Sequence, residues 1–144
     1  MKRIFLIILI SLFLILLLIT PKSSTTTLHL PTKDISLIIA DTTETREKGL
    51  SGKEVLPEDT AMLFIFDRPA QYGFWMKDMK FPIDILWLDE NYQIVDMKKG
   101  LSPETFPETY EPAEKSLYVL ETNANFVEEN RLKVGDRLDI DLKK

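Results

Sequence analysis

The sequence predicts a mainly β, α+β domain. It should form a small, antiparallel-rich, barrel-like sheet of about seven strands with two short helices, behind an amino-terminal hydrophobic helix. Three observations carry this expectation. Short β-branched and aromatic runs recur between turn residues along the whole body. Only two stretches carry helix-start signals, and both are short. No glycine-rich nucleotide motif or internal repeat is present, and the chain has 5 glycines in 144 residues.

The first element is apolar. Met1, Lys2 and Arg3 precede a run from Ile4 to Ile19 that only Ser11 interrupts. As a helix this run spans about 24 Å at 1.5 Å per residue. A bilayer's hydrocarbon core is about 30 Å thick, so Thr20 must join the span while Lys2, Arg3 and Lys22 snorkel. A cleaved signal would end in an Ala-x-Ala-like site, but Thr20, Pro21, Lys22, Ser23 and Ser24 stand there. An uncleaved anchor is therefore the preferred reading of residues 1–20, with a cleaved signal as the alternative. In either case the leading positive charges hold the amino end in the cytoplasm. The expected location is the cell membrane, single pass with the carboxy-terminal domain outside, or secreted or periplasmic after cleavage. Residues 21–34, rich in Thr, Ser, Pro and Lys, read as a tether. Residues 35–144 read as one β-rich globular domain.

Within that domain Ile35–Asp41 is the first expected core strand. Thr42 can cap a short helix that ends near Gly49. A loop with Pro57 leads to a strand over Ala61–Phe66, and residues 67–70 read as a turn. Gly73–Asp78 and Ile83–Leu88 are further strands. Residues 89–92 suggest a hairpin turn into Gln93–Met97. Pro103, Pro107 and Pro112 make residues 99–114 an irregular loop. Lys115–Glu121 is a strand, Thr122 or Asn123 can cap a helix reaching Asn130, and Arg137–Leu142 closes the chain.

Charge and composition exclude several functions. With Lys2, Arg3 and Lys22 set aside, 15 basic residues face 23 acidic ones, a net charge of −8. That balance opposes sequence-independent nucleic-acid binding, which needs clustered cations. The absence of cysteine removes disulfides, thiolate nucleophiles and thiolate-bound zinc. The single histidine, His29, lies between Leu28 and Leu30 and reads as a strand-edge residue. Gly49-Leu50-Ser51-Gly52 lacks the spacing of a nucleophile elbow. Asp139 with Asp141, and Asp89 with Asn91, lack the spacing of a calcium loop. No cofactor or metal is expected, and the expected partners are the membrane, through residues 4–20, and an envelope ligand or protein.

A set of motifs points to a family. Arg46 with Gly49-Leu50 is followed by Met62–Phe66, then Phe74-Trp75-Met76-Lys77 and Pro82-Ile83-Asp84. Asp89, Ile94-Val95, Leu120-Glu121 and Val134-Gly135-Asp136 complete the series. Over roughly residues 36–141 the chain resembles the bacterial and archaeal family called domain of unknown function 192. The resemblance implies a small β-rich barrel, often behind a signal or anchor segment, and no established activity. Ser51, Asp78-Met79, Asn125 and Asn130 depart from the family's usual residues, and Asp78 places a charge where Asn is common.

The candidate site residues follow from local pattern. In a strand, Trp75 shares a face with Lys77 and opposes Phe74. Trp75 is then either the floor of a stacking cleft or a core residue with its indole N–H on a carbonyl. Asp84 is surrounded by apolar strand residues, so it should be ion-paired with Arg46, Lys77 or Arg137, lock backbone donors, or act as an acid with a shifted pKa. Glu121, at the end of another strand, is its available partner. Trp75, Lys77, Asp78, Arg46 and Tyr110 are the candidate ligand-binding residues. Asp84 and Glu121 are the candidate catalytic pair. The preferred function is a non-catalytic, membrane-tethered, extracytoplasmic binding module. The alternative is an extracytoplasmic carboxylate-based hydrolase acting on a glycan or similar polymer.

Overall fold

The fold is described from a computed structural model covering residues 26–143. The expected anchor or signal segment, residues 1–20, lies outside the described residues. Among the described residues no helix is long and apolar enough to cross a membrane.

Among the described residues nine strands and two α-helices follow one another: β1 (Thr27–His29), β2 (Asp34–Ala40), α1 (Thr43–Lys48), β3 (Thr60–Ala70), β4 (Phe74–Trp75), β5 (Ile83–Leu88), β6 (Ile94–Leu101), β7 (Thr109–Tyr110), β8 (Ser116–Asn123), α2 (Phe126–Glu129) and β9 (Asp139–Asp141). Seven of the strands form one sheet in the order β6-β5-β8-β3-β2-β1-β9, while β4 and β7 pair separately. The sheet curls into a half-barrel, as the right-handed twist of its strands favours. Its ends approach each other: Ile94 N–H donates to Asp136 O, Gly135 N–H to Ile94 O and Leu138 N–H to Tyr92 O.

The expected strand number and class hold, with instructive differences. The β2–β3 pair is parallel, made possible by the long connection through α1 and the Pro57 loop. β1 lies inside the segment expected to be a tether. Leu28 is fully buried there, with β2 on one side and β9 on the other. The expected turn at residues 67–70 is a continuation of β3 past a bulge, where the register shift absorbs Pro69. The expected strand Gly73–Asp78 shrinks to two residues, because Asp78 takes a left-handed conformation (φ 55°) and turns the chain. Thr122 and Asn123 belong to β8, and Asn125 precedes α2 instead.

Strand alternation divides the apolar side chains into two cores. Leu28, Leu63, Leu86, Leu120, Phe126 and Val127 fill the concave side beneath α2. Met62, Phe64, Ile85, Trp87 and Val119 point to the other face. There α1, its following loop, and the β4–β7 ribbon cover part of the sheet.

Candidate functional site

Asp84 and Glu121 occupy neighbouring strands. Asp84 pairs with Thr122 and Ile85 pairs with Glu121. Because successive side chains alternate faces, the two carboxyls lie on opposite sides of the sheet. They cannot flank one glycosidic bond, which removes the expected catalytic pair.

Asp84 is fully buried, and no cation among the described residues pairs with it. Its Oδ1 accepts from Gly100 N–H at 2.8 Å and its Oδ2 from Val127 N–H at 2.9 Å. Both donors need it. Gly100 sits with φ +61° in β6, opposite the register shift between Ile83 and Ile85, so its N–H is lost to the ladder. Val127 lies in the first turn of α2, and Asn125 makes no side-chain cap, so the helix start would otherwise leave an orphan donor. The backbone-locking role is the one realised.

Glu121 is the contrasting case. It is 5% exposed, and its Oε2 has no hydrogen-bond partner among the described residues. Burial pushes its carboxyl up to about 8, so the neutral acid is the form held at neutral pH. It forms the floor of a cleft of about 640 Å³ that Arg46, Phe66, Tyr72, Trp75 and Lys77 also line.

Each wall has a local cause. Thr42 caps α1, its hydroxyl accepting from Thr45 N–H at 3.2 Å. The helix then presents Arg46, whose Nη1 donates to Asp41 O at 2.9 Å and Ile65 O at 2.7 Å. That guanidinium lies 5.4 Å from the centre of the Phe66 ring, and Phe66 stacks on Tyr72. α1 ends at Gly49, with φ +48° and ψ −134°, a conformation only glycine adopts freely. A Cβ there would stand 3.3 Å from Phe64 Cζ and 3.8 Å from Glu121 Oε2. Ser51 Oγ donates to Lys77 O at 2.8 Å, tying this loop to the opposite wall.

That wall is β4. Phe74 turns inward, edge-on to Phe64 and to Trp87. Trp75 turns outward and is 52% exposed. Lys77 Nζ lies 6.0 Å from its ring centre, and Phe106 of the Pro-rich loop meets its edge. The core-tryptophan reading fits Trp87 instead, which is fully buried and donates its indole N–H to Tyr72 O at 2.9 Å.

Of the residues singled out in the sequence, Arg46, Trp75, Lys77 and Glu121 converge on the cleft. Tyr110 pairs with Phe74 and donates its hydroxyl to Glu108, so it braces the wall from behind. Asp78 is exposed at the turn, where its carbonyl accepts from Gly52 N–H. Phe66, Tyr72 and Gly49 were not singled out as site residues. Only the glycine beside a helix end carried a local signal. A second concavity, of about 590 Å³, lies near Leu56, Phe81 and Asn123. Its half-buried amide is satisfied, Asn123 Nδ2 donating to Leu56 O. Among the described residues no cluster of His, Asp and Glu is placed to hold a metal.

Comparisons with known proteins agree with this architecture. The profile of the family described as domain of unknown function 192, an uncharacterized ACR, matches residues 25–140. Among solved structures, a candidate transcription regulator from Sinorhizobium meliloti 1021 is 27% identical, with a TM-score of 0.73, over 80% of this chain and 91% of its own. A protein of unknown function from Novosphingobium aromaticivorans DSM 12444 is 22% identical, with a TM-score of 0.71, over 83% of this chain and 89% of its own. At that identity the likeness concerns the fold alone. No curated protein matches the chain.

Proposed function

The chain belongs to the domain of unknown function 192 family, and from that premise we propose that it is a non-catalytic binding module whose cleft takes a small ligand outside the cytoplasm. The observation that carries the reading is convergence. An exposed tryptophan, a fixed arginine and an unpartnered buried carboxyl meet in one concavity. Binding sites combine apolar walls with a few placed polar groups in this way. Structural polar groups are normally satisfied, as Asp84 is, so an orphan at the floor of a cleft supports a role toward something bound. Asp84 lies across the sheet from Glu121, so the two carboxyls do not meet in the cleft, which argues for holding a ligand over hydrolysing one.

The location rests on Lys2 and Arg3 ahead of the apolar run. A reporter fused after Lys144 is expected to be active outside the cytoplasm, and cytoplasmic activity would overturn this part. A nucleic-acid role, which the Sinorhizobium neighbour's name suggests, finds no support in a body with 15 basic against 23 acidic residues.

The cleft is tested through the two tryptophans of the chain, of which Trp75 lines it and Trp87 does not. The ¹⁵N-labelled full chain in phosphatidylcholine nanodiscs is screened against sugars, nucleosides and amino acids. A true ligand is expected to shift the Trp75 indole signal and leave Trp87 in place. Ligands that move neither, or that move residues around Asn123, would reject this cleft as the site.

A further inference from the structure

We infer that the cleft is built for an anionic ring ligand, a carboxylate-bearing pyranose, with Arg46 and Lys77 facing its charge and the Glu121 carboxyl hydrogen-bonding to its hydroxyls. This rests on reading the cleft as a binding site and names the chemistry that site selects.

The first support is charge. The body is acidic, yet the residues lining the cleft include Arg46, Lys48 and Lys77 against one exposed acid, Glu47. Positive charge concentrated in a partly enclosed cleft draws anions toward it.

The second support excludes cations. An aromatic-walled site can hold an ammonium group over its ring faces. Here one face of each of two rings already carries a cation. Arg46 stands 5.4 Å from the Phe66 ring centre and Lys77 6.0 Å from that of Trp75. A cationic ligand entering the cleft would meet these two like charges beside the rings.

The third support lies at the floor. Glu121 is unpartnered at Oε2, and Gly49 puts no side chain beside that oxygen, where a Cβ would stand 3.8 Å away. A carboxylic acid offers one donor and acceptor capacity together, which a sugar hydroxyl matches on both counts. The exposed side of Trp75, flanked by Phe106, suits the C–H face of a pyranose.

The groups facing Glu121 set its titration. β3 brings Met62 beside it and Phe64 below, and β5 brings Ile85, all apolar. The titratable groups are across the cleft: Arg46, Glu47 and Lys48 from α1, with Tyr72 and Lys77 from the opposite wall. Burial holds Glu121 protonated up to about pH 8, so the donor is present at neutral pH and lost above it.

The test uses the full chain in phosphatidylcholine nanodiscs, titrated with galacturonate, galactose and galactosamine while the two indole signals are followed. Galacturonate is expected to shift Trp75 at least tenfold more tightly than galactose, with galactosamine weakest. Its affinity should fall about tenfold between pH 6.5 and pH 9.5. Glu121→Gln, which keeps a donor but cannot ionise, should bind and lose that fall, a change that a packing role would not produce. Lys77→Met should bring galacturonate down to the level of galactose. Equal binding of all three sugars, or preference for galactosamine, overturns the anionic inference and leaves the cleft standing as a binding site. Silence of all three sugars overturns the inference as well. If the wider ligand screen also leaves Trp75 unmoved, the binding-site reading falls with it.

Discussion

Asp84 and Glu121 lie on adjacent strands and are almost equally hidden from water. On the concave face, Asp84 receives two backbone N–H groups, one from a strand bulge and one from a helix start. On the opposite face, Glu121 Oε2 receives none. Burial alone therefore says nothing about role. What separates a structural acid from a candidate binding acid is whether the protein itself supplies the partners that desolvation demands.

The comparison is most vulnerable at Asp84. Asp84→Asn replaces one accepting oxygen by an N–H₂ group that must face a backbone donor. The expected cost is about 2–4 kcal/mol, from one lost charge-assisted bond and one donor left unsatisfied. Urea unfolding should show a lower midpoint with an unchanged slope. An unchanged midpoint would mean that the Gly100 and Val127 donors do not depend on this carboxyl.

Glu121 should behave in the opposite sense, and only above a certain pH. Burial pushes its folded pKa up to about 8, above the 4.5 of a free glutamate. The folded state therefore binds the extra proton between those values. The stability this brings is fully present below about pH 4.5 and is lost as pH rises through about 8. Glu121→Gln removes the slope. Thermal melts are expected to show little change at pH 4 and a stabilisation of about 1–3 kcal/mol at pH 9 relative to the parent chain. Parallel pH profiles for the two proteins would place a partner on Glu121 and erase the contrast with Asp84.

The smallest effect is expected at the mouth of the cleft. Trp75→Ala removes a half-exposed ring, and surface substitutions usually stay within about 0.5 kcal/mol. The melting midpoint should hardly move while the response to ligand disappears. A loss of several kcal/mol would instead make Trp75 a packing residue like Trp87.

Strand alternation, turn residues and apolar runs made the mainly β class legible from the chain itself, because each depends on neighbours a few positions apart. Thr42 as a helix cap and the hairpin turn before β6 were legible for the same reason. The family motifs likewise marked Arg46, Trp75, Lys77, Asp84 and Glu121 as residues to explain. Their grouping was not legible. Whether Asp84 and Glu121 share a face depends on the β5–β8 register, and a slip of one residue would reverse the answer. The identity of the core tryptophan depended on where β4 stopped, which the left-handed turn at Asp78 decides. Phe66 and Tyr72 reached the cleft only because β3 runs on past residue 66. Local chemistry could indicate that a buried carboxyl needs a partner. Only the tertiary structure, by bringing Gly100 and Val127 to one acid and apolar neighbours to the other, decided which of the two has them.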